Sequence, residues 1–231
     1  MTDITRVLPK ALLWEIVSRL TPRDASRTSA VCSYFKECAD SDETWRDLHL
    51  SDHPVLVADG TKRFFLEKES GKKCYMIGAS GLHIIWGDTP RYRSWIPIPE
   101  SRFPQVAELD HVWWFEVKGN LQIRLLSSKT SYDVFFIFKF GSNRFGFTDA
   151  PVSFSLTKGD QSPPREVVLD PPGSDVTQRE DGWMEIKVGE FFTEEDGDDD
   201  GLVEFRAWQT EGHIKRGILV EGIEFRPTRN E

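Results

Sequence analysis

The stretch YDVFFIFKF at residues 132–140 decides the fold. Tyr132, Val134, Phe136, Phe138 and Phe140 occupy one alternating set, and Phe135 and Ile137 occupy the other. A strand with one wet face alternates apolar and polar residues, so apolar residues in both sets predict a central strand covered on both sides. Outward from it, short β-rich runs recur between glycines, prolines and aspartates. They cover 82–86, 111–117, 121–126, 151–156, 165–169, 183–188, 202–208 and 217–225. Gly119-Asn120 reads as a hairpin turn joining the second of these runs to the third. Residues 51–63 read as a connector in which Val55, Leu56 and Val57 can form an edge strand. Many short strands with turn signals and no internal repeat predict a two-sheet sandwich.

The amino-terminal residues have a different rhythm. In LPKALLWEIVSRLTPRDASRTSAVCSYFKECADSDETWRDL at 8–48, Pro9 suits a first helical position, and Leu8, Leu12, Ile16 and Leu20 recur every fourth residue. Thr21, Pro22 and Asp24 supply a cap, a first-turn proline and an acid at the positive end of a second helix. Its apolar members are Ala25, Thr28, Val31, Cys32, Phe35 and Cys38, and Ser41-Asp42 open a third short helix carrying Trp45 and Leu48. Three helices this short bury too little surface to be stable alone. Part of their apolar surface is therefore expected to face a partner, and an ordinary helical cap packed on the rest of the chain is the competing reading.

The chain has 231 residues and a formal net charge of -9, which argues against a nonspecific nucleic-acid surface or an anionic membrane surface. Cys32, Cys38 and Cys74 are odd in number and lack C-x-x-C spacing, as expected of reduced thiols in the cytoplasm or nucleus. No signal peptide, membrane-length apolar run or N-x-S/T acceptor is seen. His49, His53, His83, His111 and His213 are scattered, and no H-E-x-x-H, G-x-S-x-G or phosphate-loop pattern occurs. A binding protein without catalytic residues, metal or cofactor is expected. Asp196, Asp198, Asp200 and Gly201 mimic the start of a calcium loop, but the twelfth position is Ala207 instead of glutamate. The run reads as a solvated acidic loop between strands.

Residues 8–48 resemble an F-box through Leu8-Pro9, the Leu12/Ile16/Leu20 stripe, Pro22-Arg23-Asp24, Val31-Cys32 and Trp45. The resemblance implies docking on the Skp adaptor of a cullin-RING ubiquitin ligase, with Leu8, Pro9, Leu12, Ile16, Leu20, Pro22, Val31, Cys32, Phe35 and Trp45 as the adaptor-binding residues. The β-rich body is similar to the phloem protein 2 or Nictaba-like lectin domain of plants, in its F-box-linked branch. The resemblance is carried by IIWGDTPRYRSW at 84–95, VAEL at 106–109, SKTSYDVFFIFK at 128–139, EDGWMEIKVGEFF at 180–192 and GILVEGIEFRP at 217–227, and FFLEKESGKKCYM at 64–76 is similar to the segment preceding the lectin core. A three-helix F-box domain (1–50), a connector (51–63) and a jelly-roll-like sandwich (64–231) follow as expectations.

The lectin resemblance implies binding of N-acetylglucosamine oligomers or N-glycan cores. Sugars need aromatic faces for their C–H surfaces and hydrogen bonds for their hydroxyls. Trp86, Tyr92 and Trp95 flank the turn Gly87-Asp88-Thr89-Pro90. Trp86 matches one sugar-contacting tryptophan of the family, but Arg93 stands at the second, and Leu202 and Gln209 stand where the family has glutamates. Trp95 matches a neighbouring family tryptophan. Arg93 is read either as a solvated cation or as a forked donor for an acidic group. The expected carbohydrate residues are Trp86, Tyr92, Arg93, Trp95 and Gln209. Two functions follow: a substrate receptor of a ligase for glycosylated or other proteins, or a nucleocytoplasmic lectin with no ligase role.

Overall fold

The structure is a computed structural model and describes residues 12–13, 16–17, 27–28, 31, 33–40, 54–67, 70–86, 89–148, 150–161, 163–194 and 201–228. It forms two compact units, residues 1–55 with 64–74 and residues 56–63 with 75–231. The division differs from the expected domain edge at 64, because Phe64–Cys74 belongs to the first unit.

In the first unit Leu12, Leu13, Ile16 and Val17 are helical. Leu13 and Val17 are fully buried, whereas Leu12 and Ile16 are each 45% exposed. The i, i+4 spacing gives both pairs a common face. Helix α1, Ser33–Asp40, buries Cys38 and half-buries Phe35. Val31 lies in a turn and is largely exposed, so it is not part of the helix expected to run on to Cys38. Leu8, Pro9, Leu20, Pro22, Cys32 and Trp45 lie outside the described residues. Among the described residues no helix is long and apolar enough to cross a membrane.

The described strands are β1 (Val55–Val57), β2 (Lys62–Leu66), β3 (Lys73–Gly78), β4 (His83–Ile84), β5 (Arg93–Ile96), β6 (Val106–Leu109), β7 (Phe115–Gln122), β8 (Thr130–Phe145), β9 (Val152–Lys158), β10 (Asp160–Gln161), β11 (Arg165–Val167), β12 (Val176–Gln178), β13 (Met184–Thr193), β14 (Leu202–Gln209) and β15 (Arg216–Pro227). One sheet runs β1-β2-β3-β15-β8-β13-β12, with β6 also on β15 and β5 on β6. The other runs β10-β9-β14-β7-β4, with β11 on β9. The long strands alternate between sheets, β7 and β9 in one, β8 and β13 in the other, then β14 and β15. That alternation makes a two-layer sandwich with jelly-roll-like crossings.

Strand β8 is central, between β13 and β15. Its inward residues Tyr132, Val134, Phe136 and Phe138 have no exposed surface. Across the layers Phe136 lies 5.7 Å from Phe154 and 5.8 Å from Phe205 between ring centroids. Its other face is covered as well: Ile137 packs with Met76, Phe103, Val106, Trp183 and Leu219, with Phe135 beside them. Each fully buried ring or large aliphatic stabilises the fold by about 2–3 kcal/mol.

The cover over this face is a strap, residues 97–104, between β5 and β6. Arg102 fastens it, with Nη2 donating to Glu221 Oε2 at 2.6 Å, Nη1 to Glu224 Oε2 at 2.8 Å and its backbone N–H to Glu221 Oε1 at 2.6 Å. Gly78 lets the strap descend, because a Cβ there would meet the Phe103 ring at 2.7 Å.

The expected hairpin at Gly119-Asn120 is absent. Strand β7 runs straight through it, and the segment expected as a strand at 121–126 ends in a 3₁₀ turn over Ile123–Leu125. Gly119 serves close packing instead, since a Cβ there would lie 2.5 Å from Leu82 Cδ2.

Candidate functional site

Strand β4 ends at Ile84, and the chain turns sharply at Trp86, where φ is 58°. Thr89 N–H donates to the Trp86 carbonyl at 3.0 Å, and Tyr92 N–H to the Thr89 carbonyl at 3.0 Å. These turns bring the Trp86 and Tyr92 rings to 5.8 Å, tilted by 54°. Trp86 is half exposed while Tyr92 packs partly on the main core, so the pair offers one anchored ring and one open ring. Two such faces fit the apolar side of a pyranose.

Arg93 and Trp95 form a separate pair on β5. The Arg93 guanidinium lies 4.0 Å from the centre of the Trp95 ring, and Trp95 packs on the core with its remaining surface. One face of Trp95 is thus already covered by a cation, a stable arrangement in itself.

Gln209 stands apart from both pairs. On β14 it shares the inward set with Val203, Phe205 and Ala207, is 3% exposed, and donates from Nε2 to the Ala150 carbonyl at 2.7 Å. It therefore presents no polar atom to the surface beside Trp86, contrary to the expectation placed on it. Leu202, at the other end of β14, is exposed.

The strand expected at 111–117 begins only at Phe115, and the preceding residues form a loop. His111 there has φ 52°, and Trp113 and Trp114 are 58% and 43% exposed. The sequence carries a signal for this: two adjacent tryptophans in a strand cannot both face the core. Val112 exchanges backbone hydrogen bonds with Lys215 at 2.9 and 2.8 Å. The Lys215 side chain is buried, which pushes its pKa down, partly opposed by Glu211. Among the described residues no three His, Cys, Asp or Glu side chains gather to hold a metal ion. Most of the acidic run, 195–200, lies outside the described residues.

Comparison with known proteins accounts for nearly the whole chain. The family model described as phloem protein 2 matches residues 72–227, and one described as F-box-like matches residues 5–51. The chain is 38% identical over 249 residues to the putative F-box protein PP2-B12 of Arabidopsis thaliana, covering 95% of this chain and 96% of that protein. It is 35% identical over 253 residues to the F-box protein PP2-B10 of the same plant, covering 96% and 93%. The F-box protein SKIP3, also from Arabidopsis thaliana, is 31% identical over 263 residues, covering 96% and 88%.

Proposed function

The chain belongs to the phloem protein 2 family, with an F-box-like segment ahead of the family domain, and we propose that it is the substrate receptor of a Skp–cullin–F-box ubiquitin ligase. The observation that supports this reading is the joint match, in one chain, of an F-box-like segment at 5–51 and a phloem protein 2 domain at 72–227. In support, Leu12 and Ile16 stand half exposed beside the buried pair Leu13 and Val17, an apolar face left over after the helix has packed. That face docks the Skp-type adaptor, together with Leu8, Pro9, Leu20, Pro22, Val31, Cys32, Phe35 and Trp45.

The sandwich selects a glycosylated protein through Trp86 and Tyr92. The chain itself is not the catalyst; it contributes proximity by holding its target near the charged ubiquitin conjugate. Its place of action is the cytoplasm and nucleus. The second reading, a lectin with no ligase role, draws on the open Trp86–Tyr92 pair alone. Co-purification of the full chain with a Skp-type adaptor separates the two. Binding by the wild type that is lost in Leu12→Asp and Ile16→Asp supports the receptor; no binding by the intact chain leaves the lectin. A glycan array then tests the ligand, with Trp86→Ala expected to abolish sugar binding and spare the adaptor.

A further inference from the structure

Two segments of the sandwich, one carrying Ile85, Trp86 and Tyr92 and the other running from Asp110 into β7, are joined by two backbone hydrogen bonds. Ile85 N–H donates to the Glu116 carbonyl at 3.0 Å, and Asp110 N–H to the Tyr92 carbonyl at 2.9 Å. The exposed large apolar residues they carry are tryptophans: Trp86 at 50%, Trp113 at 58% and Trp114 at 43%. Each loop also holds a side-chain-bearing residue in the left-handed region, Trp86 at φ 58° and His111 at φ 52°. For a residue as bulky as tryptophan that conformation is disfavoured, and such outliers persist only where the surroundings enforce them.

Around Trp113 the surroundings do so from below. The Lys215 ammonium donates to the carbonyls of Trp113 at 3.0 Å, Glu211 at 2.8 Å and His213 at 3.1 Å, which pins the loop from inside. Exposed indoles on a loop held this firmly form a prepared surface, because little ordering remains to be done when a ligand arrives.

We propose that Trp113 and Trp114, with Asp110 and His111, extend the sugar site of Trp86 and Tyr92, so that the ligand is a neutral oligosaccharide lying across both loops. The inference rests on the glycan reading given above. Its chemistry is the alternation of ring faces with a polar pair: Asp110 Oδ1 and His111 Nδ1 lie 2.7 Å apart, with both side chains about half exposed. That pair offers Asp110 Oδ2 as an acceptor, and His111 Nε2 as a donor or acceptor, to sugar hydroxyls. It also supplies polar groups that Gln209 and Leu202 do not, since Gln209 faces the core and Leu202 has no polar group. Exposed aromatic rings interleaved with hydroxyl-binding groups suit a carbohydrate, whose rings are apolar on their faces and polar at their rims.

Titrating the full chain with di-N-acetylchitobiose and tetra-N-acetylchitotetraose tests this. The wild type is expected to bind the tetramer more tightly than the dimer. Trp113→Ala should weaken the tetramer about tenfold, the scale of one lost aromatic contact, and leave the dimer nearly unchanged; Trp113→Phe should restore most of the loss. Trp86→Ala should weaken both lengths. Binding of both sugars that is indifferent to Trp113→Ala and Trp114→Ala overturns the extension and leaves the glycan reading standing. Failure of the wild type to bind either sugar, or any glycan on the array, overturns the glycan reading and the extension with it. If a variant fails to fold, the indole N–H signals of Trp113 and Trp114 in the unmodified chain decide the matter: tetramer either shifts them or, against the proposal, does not.

Discussion

The side-chain nitrogen of Lys215 donates to the main-chain oxygen of Trp113 at 3.0 Å, from a position with no exposed surface. Lysine is costly to bury, and here three carbonyl oxygens take the place of water around the ammonium. Two of these bonds occupy the carbonyls of Trp113 and His213, while the Glu211 carbonyl also accepts the His213 N–H at 2.8 Å.

Replacing Lys215 with methionine keeps the volume and removes those donors. The expected cost is roughly 2–4 kcal/mol, mainly from the Trp113 and His213 carbonyls losing this donor. Urea unfolding measures it, and hydrogen exchange at residues 113–116 should quicken beyond the global change. A variant as stable as the wild type would show that the ammonium only fills space.

The strap gives a second prediction. Arg102→Met leaves Glu221, which is fully buried, without its main cation. Breaking a buried pair from one side costs about 3–5 kcal/mol. Adding Glu221→Gln to Arg102→Met should recover part of that loss in a denaturation cycle, because the uncompensated charge is then gone. Additive losses would refute the pairing.

Acid should act through Glu224. Burial alone would raise its pKa, but the Arg102, Arg226 and Arg179 guanidinium groups outweigh this and hold the carboxyl below its ordinary range. A carboxylate depressed in the folded state stabilises the fold above its unfolded pKa and loses that contribution as pH falls toward its folded value. Stability to urea is therefore expected to decline from about pH 5 downward, the onset set by the ordinary glutamate pKa. In Glu224→Gln, stability at neutral pH should be lower and the decline shallower. An unchanged slope would remove Glu224 from the account.

Close approach of two strands predicts a steric effect. A Cβ at Gly222 would lie 2.1 Å from the Ile77 carbonyl oxygen, a backbone atom that cannot swing aside. Gly222→Ala should cost roughly 3 kcal/mol or more, at the upper end of overpacking effects. Gly173→Ala, where nothing lies within 4 Å, should change the thermal midpoint little. Equal effects at the two positions would contradict the register of β15 on β3.

The two faces of the first helical segment predict opposite phenotypes. Leu12→Asp is expected to keep the fold and lose the adaptor, because Leu12 is half exposed. Leu13→Asp buries a charge and should unfold the first unit. Circular dichroism and co-purification read the two outcomes. Retention of the adaptor by a folded Leu12→Asp chain would exclude this face from docking.

Much of the sandwich was legible in residues 132–140, because apolar residues in both alternating sets have no stable home but the middle of a layered sheet. The strands at 183–188, 202–208 and 217–225 were legible too, though β13 and β15 extend beyond the stretches that pattern marks. Gly119 misled, since a glycine kept for a turn and one kept for contact with Leu82 leave the same letter. Of the expected sugar residues, Trp86 and Tyr92 lie ring to ring. Arg93 and Trp95 meet each other instead. The expectation for Gln209 rests on analogy of position, whereas its alternation with Val203, Phe205 and Ala207 assigns it to the core.

Periodicity and composition act between near neighbours in the chain, so the sequence by itself determined the long strands β8, β13, β14 and β15, the doubly covered β8 and the β-rich family to which the chain belongs. Only the tertiary structure decided that Arg102 straps the outer face, that Lys215 pins Trp113, and that Ile85 and Tyr92 bond to Glu116 and Asp110. Those pairings span from 18 to 119 residues of chain between partners such as Tyr92 and Asp110 or Arg102 and Glu221. They form because folding leaves few buried polar groups without partners, and which partner arrives is set by how the two sheets close on one another.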